Sequence, residues 1–136
     1  MLLIGKRKER LIIGIGIDHI EISRIKKTII KNKEKFLKRI FLDKEVDYCE
    51  GKADKYQHYA ARFAAKEAVY KALCLTGREG IGWKDIEISG TDSGKPEIIL
   101  YNKALNLAKK LKVSKIFLSI SHSKELAVCQ AIVEAK

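Results

Sequence analysis

The first regular pattern in the chain is a segment in which isoleucine alternates with small or polar residues. Residues 11–18 (LIIGIGID) repeat with a period of two, which predicts a β-strand. That period places Gly14, Gly16 and Asp18 on one face and isoleucines on the other. A bare face ending in a carboxylate permits close approach by a ligand or by another backbone. The pattern therefore indicates either a metal or phosphate platform, or a bulge followed by a capping aspartate.

Two longer segments have the 3.6-residue period of α-helices. In residues 21–40, isoleucine and phenylalanine recur on one side while lysine and arginine share another, with an interruption near Asn32 and Lys33. Residues 56–75 are rich in Ala, Glu, Lys and Leu and contain neither Gly nor Pro. We expect a helix in each segment.

The remaining chain alternates short strand patterns with turns. A Gly-rich loop at residues 75–83 precedes the strand patterns DIEIS and EIILY, which the turn GTDSGKP joins. After a short helix near residues 102–112, the runs SKIFLSIS and ELAVCQAIV predict two more strands. The order β-α-α-β-β-α-β-β favours an α+β fold with helices packed on a mostly antiparallel sheet.

Length and composition indicate one small domain. With 136 residues, 46% of them apolar, the chain supports a single packed core. We assign residues 1–10 to a basic N-terminal extension and residues 11–136 to the domain. The odd number of cysteines, without paired spacing, predicts reduced thiols rather than disulfides or zinc ligands.

The charge balance narrows the partners. Lys and Arg outnumber Asp and Glu by 28 to 17, for a net charge of +11, which attracts nucleic acid, anionic membrane, phosphorylated metabolites or acidic proteins. No apolar run approaches the ~18 residues of a membrane span, and the first ten residues reverse the charge order of a secretion signal. We therefore expect a cytoplasmic protein that crosses no membrane.

The second predicted helix carries candidate chemistry. Glu67 and Lys71 are four residues apart and so share one face, along with several alanines that would leave room for a bulky group. Arg62 and Lys66 lie on a different side. Asp18 and Glu67 are candidate Mg²⁺ ligands, because Mg²⁺ takes oxygen ligands and commonly uses one or two protein carboxylates. An ordinary exposed Glu–Lys pair is the alternative for Glu67.

Two turns and a basic stripe add polar groups. His122 follows two serines at a strand end, where it either donates to a phosphate oxygen or is merely solvated. The Gly94-Lys95-Pro96 segment is a turn entering a strand and lacks the features of a Walker A loop. Residues 24–39 contain eight Lys or Arg against one Glu, which indicates an acidic partner. A nucleic-acid-binding module is the alternative function, although no stacking or recognition-helix signature accompanies the charge.

Taken together, these segments resemble the holo-acyl-carrier-protein synthase family in order and spacing. The matching segments are GIGIDHIEISRI (14–25), RIFLDKEVDYC (39–49), RFAAKEAVYKAL (62–73), GKP (94–96) and SISHSKELAVCQAIV (119–133). The resemblance covers nearly everything from residue 11 onward. One departure is Cys74, which stands where relatives usually have glycine.

The resemblance implies a 4'-phosphopantetheinyl transferase fold that assembles as a homotrimer with each coenzyme A site between neighbouring subunits. The implied reaction transfers 4'-phosphopantetheine from coenzyme A to a serine of an acidic apo-acyl carrier protein, with Mg²⁺ as cofactor, in support of fatty acid biosynthesis. Single-domain length favours a discrete carrier protein over the carrier domains of large synthases. Either Glu67 or a Mg²⁺-held water would remove the serine proton.

The resemblance also implies roles for individual residues. Asp18 and Glu67 match the Mg²⁺ ligands, Glu67 and Lys71 the catalytic groups, Lys71 and His122 the contacts to coenzyme A phosphates, Arg24 a carrier-protein contact, and Arg62, Lys95 and Pro96 positions near the nucleotide.

Overall fold

A computed structural model describes residues 9–74, 80–90 and 95–136. Most of the predicted basic extension, part of the Gly-rich loop and the part of the later turn that contains Gly94 lie outside the described residues. The elements are β1 (Leu11–Glu21), α1 (Ile22–Ile40), α2 (Asp43–Glu50), α3 (Lys55–Leu73), a 3-10 turn (Trp83–Asp85), β2 (Ile86–Ser89), β3 (Glu97–Leu100), α4 (Asn102–Lys110), β4 (Val113–His122) and β5 (Leu126–Ala135).

The described strands form two antiparallel sheets. One has the order β1-β5-β4 and the other pairs β2 with β3. The α+β class and the antiparallel pairing are confirmed, but the strands divide between two sheets. β1 is also longer than predicted, because its pairing with β5 continues to Glu21, which lies opposite Leu126.

Helix α3 packs against the larger sheet at very short range. A Cβ added to Gly14 would lie 1.7 Å from the carbonyl oxygen of Ala72, and one added to Gly16 would lie 2.0 Å from that of Ala68. Only residues without a side chain permit such a contact. Gly14 and Gly16 therefore approach another backbone and form no part of a metal or phosphate platform, while Asp18 at the end of the same face stays a candidate metal ligand.

The alanines of α3 serve the same contact. Ala64, Ala68 and Ala72 are buried in one core cluster with Cys129 and Val133 of β5. The expectation that the alanine side leaves room for a bulky ligand is therefore wrong, because the sheet fills it. What the small residues provide is proximity between β1 and the polar side chains farther around the helix.

The helices depart from prediction at a few places. The interruption in α1 is confirmed, with Asn32 at φ −137° and ψ 45°. α3 ends at Leu73, and Cys74 follows in an extended conformation. Helix α2 was not predicted: it has eight residues and buries the charged Glu45, which masks an amphipathic pattern.

No helix within the described ranges is both long enough and apolar enough to cross a membrane. The three cysteines, Cys49, Cys74 and Cys129, are buried and form no disulfide bond.

Candidate active site

An ion pair joins β1 to α3 at the end of the glycine face. Nζ of Lys71 lies 3.0 Å from Oδ1 of Asp18 and donates a second hydrogen bond, of 3.1 Å, to the carbonyl oxygen of Ile17. The Asp18 side chain is 17% exposed and that of Lys71 is 50% exposed. Lys71 thus bridges helix and strand, and half of its side chain remains open to solvent.

Glu67 lies one helical turn before Lys71 and is half-buried. Burial raises the pKa of its carboxyl group, the negative charge of Asp18 raises it further, and Lys71 opposes both effects. Asp18 and Glu67 also line the same cleft, where a divalent cation between them would offset their like charges. In the described part of the chain no cluster of three or more His, Cys, Asp or Glu side chains exists, so water and phosphate oxygens would have to complete the coordination.

A cleft of about 300 Å³ opens beside these carboxylates, and we call it the carboxylate cleft. Its lining residues include Asp18 and Glu67, together with Arg24 and Thr28 from the first turns of α1. The Thr28 hydroxyl donates to the carbonyl oxygen of Arg24 at 2.9 Å. Arg24 thus lines the same cleft as the carboxylates.

Glu67 also lines a second cavity, of about 240 Å³, which we call the Trp83 cavity. Its other walls are Lys66, Tyr70, Ile81, Gly82, Trp83 and Ile86. Phe63 connects the two spaces: it lines the carboxylate cleft, and its ring stacks on Trp83 with centroids 5.0 Å apart. Trp83 was not among the predicted site residues, although a lone tryptophan at the end of a Gly-rich loop is a usable signal.

Arg62 lies in a different environment. The residue is 5% exposed, and its guanidinium carbon lies 4.0 Å from the ring centroid of Tyr48. Nε is buried without a hydrogen-bond partner among the described residues. A Cβ on Gly90 would lie 1.8 Å from Nη2, so Arg62 packs against the end of β2, just before the predicted Gly94-Lys95-Pro96 turn.

His122 and the Lys95–Pro96 pair are also apart from the carboxylates. A 2.7 Å hydrogen bond joins Nδ1 of His122 to Nε2 of Gln57. Gln57 precedes Glu67 by ten residues, or about 15 Å along a helix axis. Lys95 and Pro96 line a groove of about 630 Å³ with residues of β4 and β5.

The predicted site residues thus form two groups within one chain. The carboxylate group consists of Asp18, Glu67, Lys71 and Arg24, which share one region. Arg62, His122, Lys95 and Pro96 lie elsewhere, and we refer to them as the distal group.

Comparison with known proteins identifies the family to which the chain belongs. The 4'-phosphopantetheinyl transferase superfamily matches residues 14–131. The chain is 43% identical to the holo-[acyl-carrier-protein] synthase of Solibacter usitatus, over 91% of this chain and 99% of that protein.

Two solved structures are similar along their length. The Plasmodium yoelii acyl carrier protein synthase with ADP bound has a TM-score of 0.81 at 34% identity, with 95% of this chain and 99% of that chain covered. The Bacillus anthracis holo-(acyl-carrier-protein) synthase in complex with CoA (3',5'-ADP) has a TM-score of 0.73 at 37% identity, with 92% and 98% covered. The chain therefore belongs to the holo-[acyl-carrier-protein] synthase family of the 4'-phosphopantetheinyl transferase superfamily.

Proposed function

We propose that this chain transfers the 4'-phosphopantetheine group of coenzyme A to a serine of an apo-acyl carrier protein, releasing adenosine 3',5'-bisphosphate. The observation that carries the proposal is that two carboxylates, Asp18 and Glu67, line one cleft, with the half-exposed ammonium of Lys71 paired to Asp18. The names of the relatives support the same reaction. The chain is thus a phosphopantetheinyl transferase that supports fatty acid biosynthesis.

Asp18 and Glu67 are the residues that would hold Mg²⁺. Two carboxylates suit this ion, which usually keeps several waters and binds substrate phosphates as well. When bound, Mg²⁺ supplies positive charge that polarises the phosphoryl oxygens. Lys71 contributes a second positive charge from the protein, at a place where negative charge builds up as the diphosphate bond breaks.

The acceptor serine forms an oxygen–phosphorus bond while the bond to the departing adenosine bisphosphate breaks. Its hydroxyl proton must move to a base. We propose that either Glu67, which lines the same cleft as Asp18, or a water held by Mg²⁺ takes this proton, since metal coordination lowers the pKa of water.

Arg24 supports docking of an acidic carrier protein. It belongs to the carboxylate cleft and to the helix that bears the excess of lysine and arginine. Complementary charge at such a position speeds association and orients the partner. A carrier that docks on α1 would bring its serine to the carboxylates.

We further propose a homotrimer. The outer face of the larger sheet exposes Ile15, Ile17 and Phe117 by 60%, 58% and 42%. Ile15 and Phe117 both lie opposite Ile132 on the central strand, so the apolar patch is continuous across the sheet. Contiguous apolar patches commonly mark interfaces between proteins.

Oligomerisation would also bring the two residue groups together. The groove that contains Lys95 and Pro96 is lined by Phe117 and Ile132 of this same outer face. In a trimer, the distal group of one subunit would face the carboxylate group of its neighbour. We propose the cytoplasm as the compartment, since three cysteines that form no disulfide bond favour a reducing one.

The transfer is tested by incubating the purified chain with Mg²⁺, coenzyme A and an apo-acyl carrier protein, followed by mass spectrometry of the carrier. We expect a gain of about 340 Da, the mass of the phosphopantetheine arm. A carrier whose acceptor serine is replaced by alanine is the control. No gain on the intact carrier would contradict the proposal, and tight nucleic-acid binding at ~0.15 M salt without coenzyme A binding would favour the alternative module.

A further inference from the structure

Lys66 directly precedes Glu67, yet its side chain is completely buried. Its Nζ lies 2.7 Å from Oε1 of Glu45 and donates to two backbone carbonyls, those of Ile86 at 2.6 Å and Trp83 at 3.1 Å. An ammonium has three N–H donors. The three acceptors therefore satisfy Lys66 fully.

Both carboxylate oxygens of Glu45 in α2 also have hydrogen-bond partners. Its side chain is 1% exposed, and Oε1 also accepts the backbone N–H of Leu42 at 2.9 Å. Oε2 accepts the N–H of Ile88 in β2 at 3.0 Å. A single buried ion pair thus ties together α2, α3 and the segment that runs from the 3-10 turn into β2.

Stability alone does not account for this arrangement. Two charges lose their hydration when they are buried, and well-packed apolar residues of similar size are often as stable or more stable. What apolar packing lacks is direction, whereas hydrogen bonds to the carbonyls of Trp83 and Ile86 fix the backbone at defined points. The pair therefore specifies where this segment lies relative to α3.

Residues 83–86 lie beside Glu67, and we call them the Trp83–Ile86 wall. Trp83 and Ile86 line the Trp83 cavity together with Glu67. The Trp83 ring stacks on Phe63, which lines the carboxylate cleft. Movement of the wall would change the packing beside Glu67 and would displace the stacked rings of Trp83 and Phe63.

We propose that Lys66, held by Glu45, is a positioning residue that fixes the Trp83–Ile86 wall and thereby keeps the Glu67 carboxylate oriented for the metal. The proposal rests on the proposed function, in which Glu67 is a metal ligand. It assigns no contact with substrate to Lys66, which acts through the wall.

The test uses Lys66→Met combined with Glu45→Gln, so that neither charge is left buried alone. We measure Mn²⁺ binding in the presence of coenzyme A by electron paramagnetic resonance. Loss of outer-shell partners typically weakens metal affinity 10–100-fold, and we expect a loss of about 10-fold. Trp83 is the only tryptophan of the chain, so its fluorescence should shift to the red and become more accessible to acrylamide.

Tyr59→Phe is the matched control. Tyr59 is buried on the same helix and donates a 2.6 Å hydrogen bond to Glu50, away from both cavities. This variant should lose stability while Mn²⁺ affinity and Trp83 emission stay at wild-type values. If the double variant fails to fold, Lys66→Gln combined with Glu45→Gln is measured instead, because the two amides can hydrogen-bond each other and no charge is left buried alone.

A folded variant with wild-type Mn²⁺ affinity would overturn the proposal. So would unchanged Trp83 fluorescence, which is recorded without metal or coenzyme A and is therefore independent of the proposed reaction. If the wild-type protein with coenzyme A binds no Mn²⁺, the metal assignment fails, and the fluorescence result alone then decides whether Lys66 positions the wall.

Discussion

The ammonium of Lys71 lies 3.0 Å from Oδ1 of Asp18, so one cation on α3 already neutralises a carboxylate that we assign to the metal. Glu67 carries the second carboxylate of the same cleft. Lys71 and a divalent ion therefore compete for Asp18 until a phosphate offers the ammonium a different partner. Binding of metal and coenzyme A should be cooperative, since each favours the state that the other requires.

Lys71→Gln should separate these two effects. Without the ammonium, the carboxylate pair keeps its full negative charge, and Mn²⁺ should bind more tightly in the absence of coenzyme A. Transferase activity should nonetheless fall by about 10²-fold or more, as when one transition-state donor is removed. Mn²⁺ titration and carrier-protein mass spectrometry measure the two quantities, with Lys71→Arg as the charge-preserving control. Weaker Mn²⁺ binding by the Gln variant would argue against competition.

Glu67→Gln should stabilise the metal-free protein at neutral pH. The folded-state pKa of Glu67 is raised, first by burial and then by Asp18, so the folded protein binds the proton more tightly than the unfolded chain. The free energy of unfolding therefore falls as pH rises from the ordinary Glu value through the raised one. The gain in Tm from the substitution should be larger at pH 7 than at pH 4. Glu21→Gln, at an exposed position of β1, is the control, and equal gains at both pH values would contradict the assignment.

Gly16→Ala should force β1 and α3 apart. The new Cβ would lie 2.0 Å from the backbone carbonyl oxygen of Ala68, where no flexible side chain can yield. Overpacking of this kind costs about 1–3 kcal/mol, which chemical denaturation measures. The same substitution at Gly51, where the Cβ would meet nothing closer than 3.5 Å, should be tolerated. Equal stability of the two variants would show that the helix and strand can separate freely.

Mixed trimers test whether neighbouring subunits share a site. Asp18→Ala removes part of the carboxylate group and His122→Ala part of the distal group, so each variant alone should be strongly impaired. Co-refolded at equal amounts, they should recover up to about a quarter of wild-type activity, as random pairing around a closed ring allows. A mixture of Asp18→Ala and Glu67→Ala, both altered in the carboxylate group, should stay inactive. Recovery in neither mixture would contradict a site between subunits.

Sequence reasoning succeeded where a local pattern carries the information. The alternation in β1 and the composition of α3 predicted both elements, because side-chain period follows directly from backbone geometry. It failed for α2, whose eight residues include a buried glutamate. The burial of Glu45 is explained by its 2.7 Å contact with Lys66, 21 positions later in the chain. A contact between such distant residues produces no periodic pattern in the sequence.

The sequence by itself determined the family, the α+β class and the residue types available for chemistry, because motif order and periodicity are properties of the chain. The tertiary structure alone decided what the residues contact. It assigned the glycine face to the helix backbone rather than to a ligand and joined Lys71 to Asp18 across 53 positions. The physical reason is that a contact between distant residues depends on how closely two elements pack, and no local period encodes that distance.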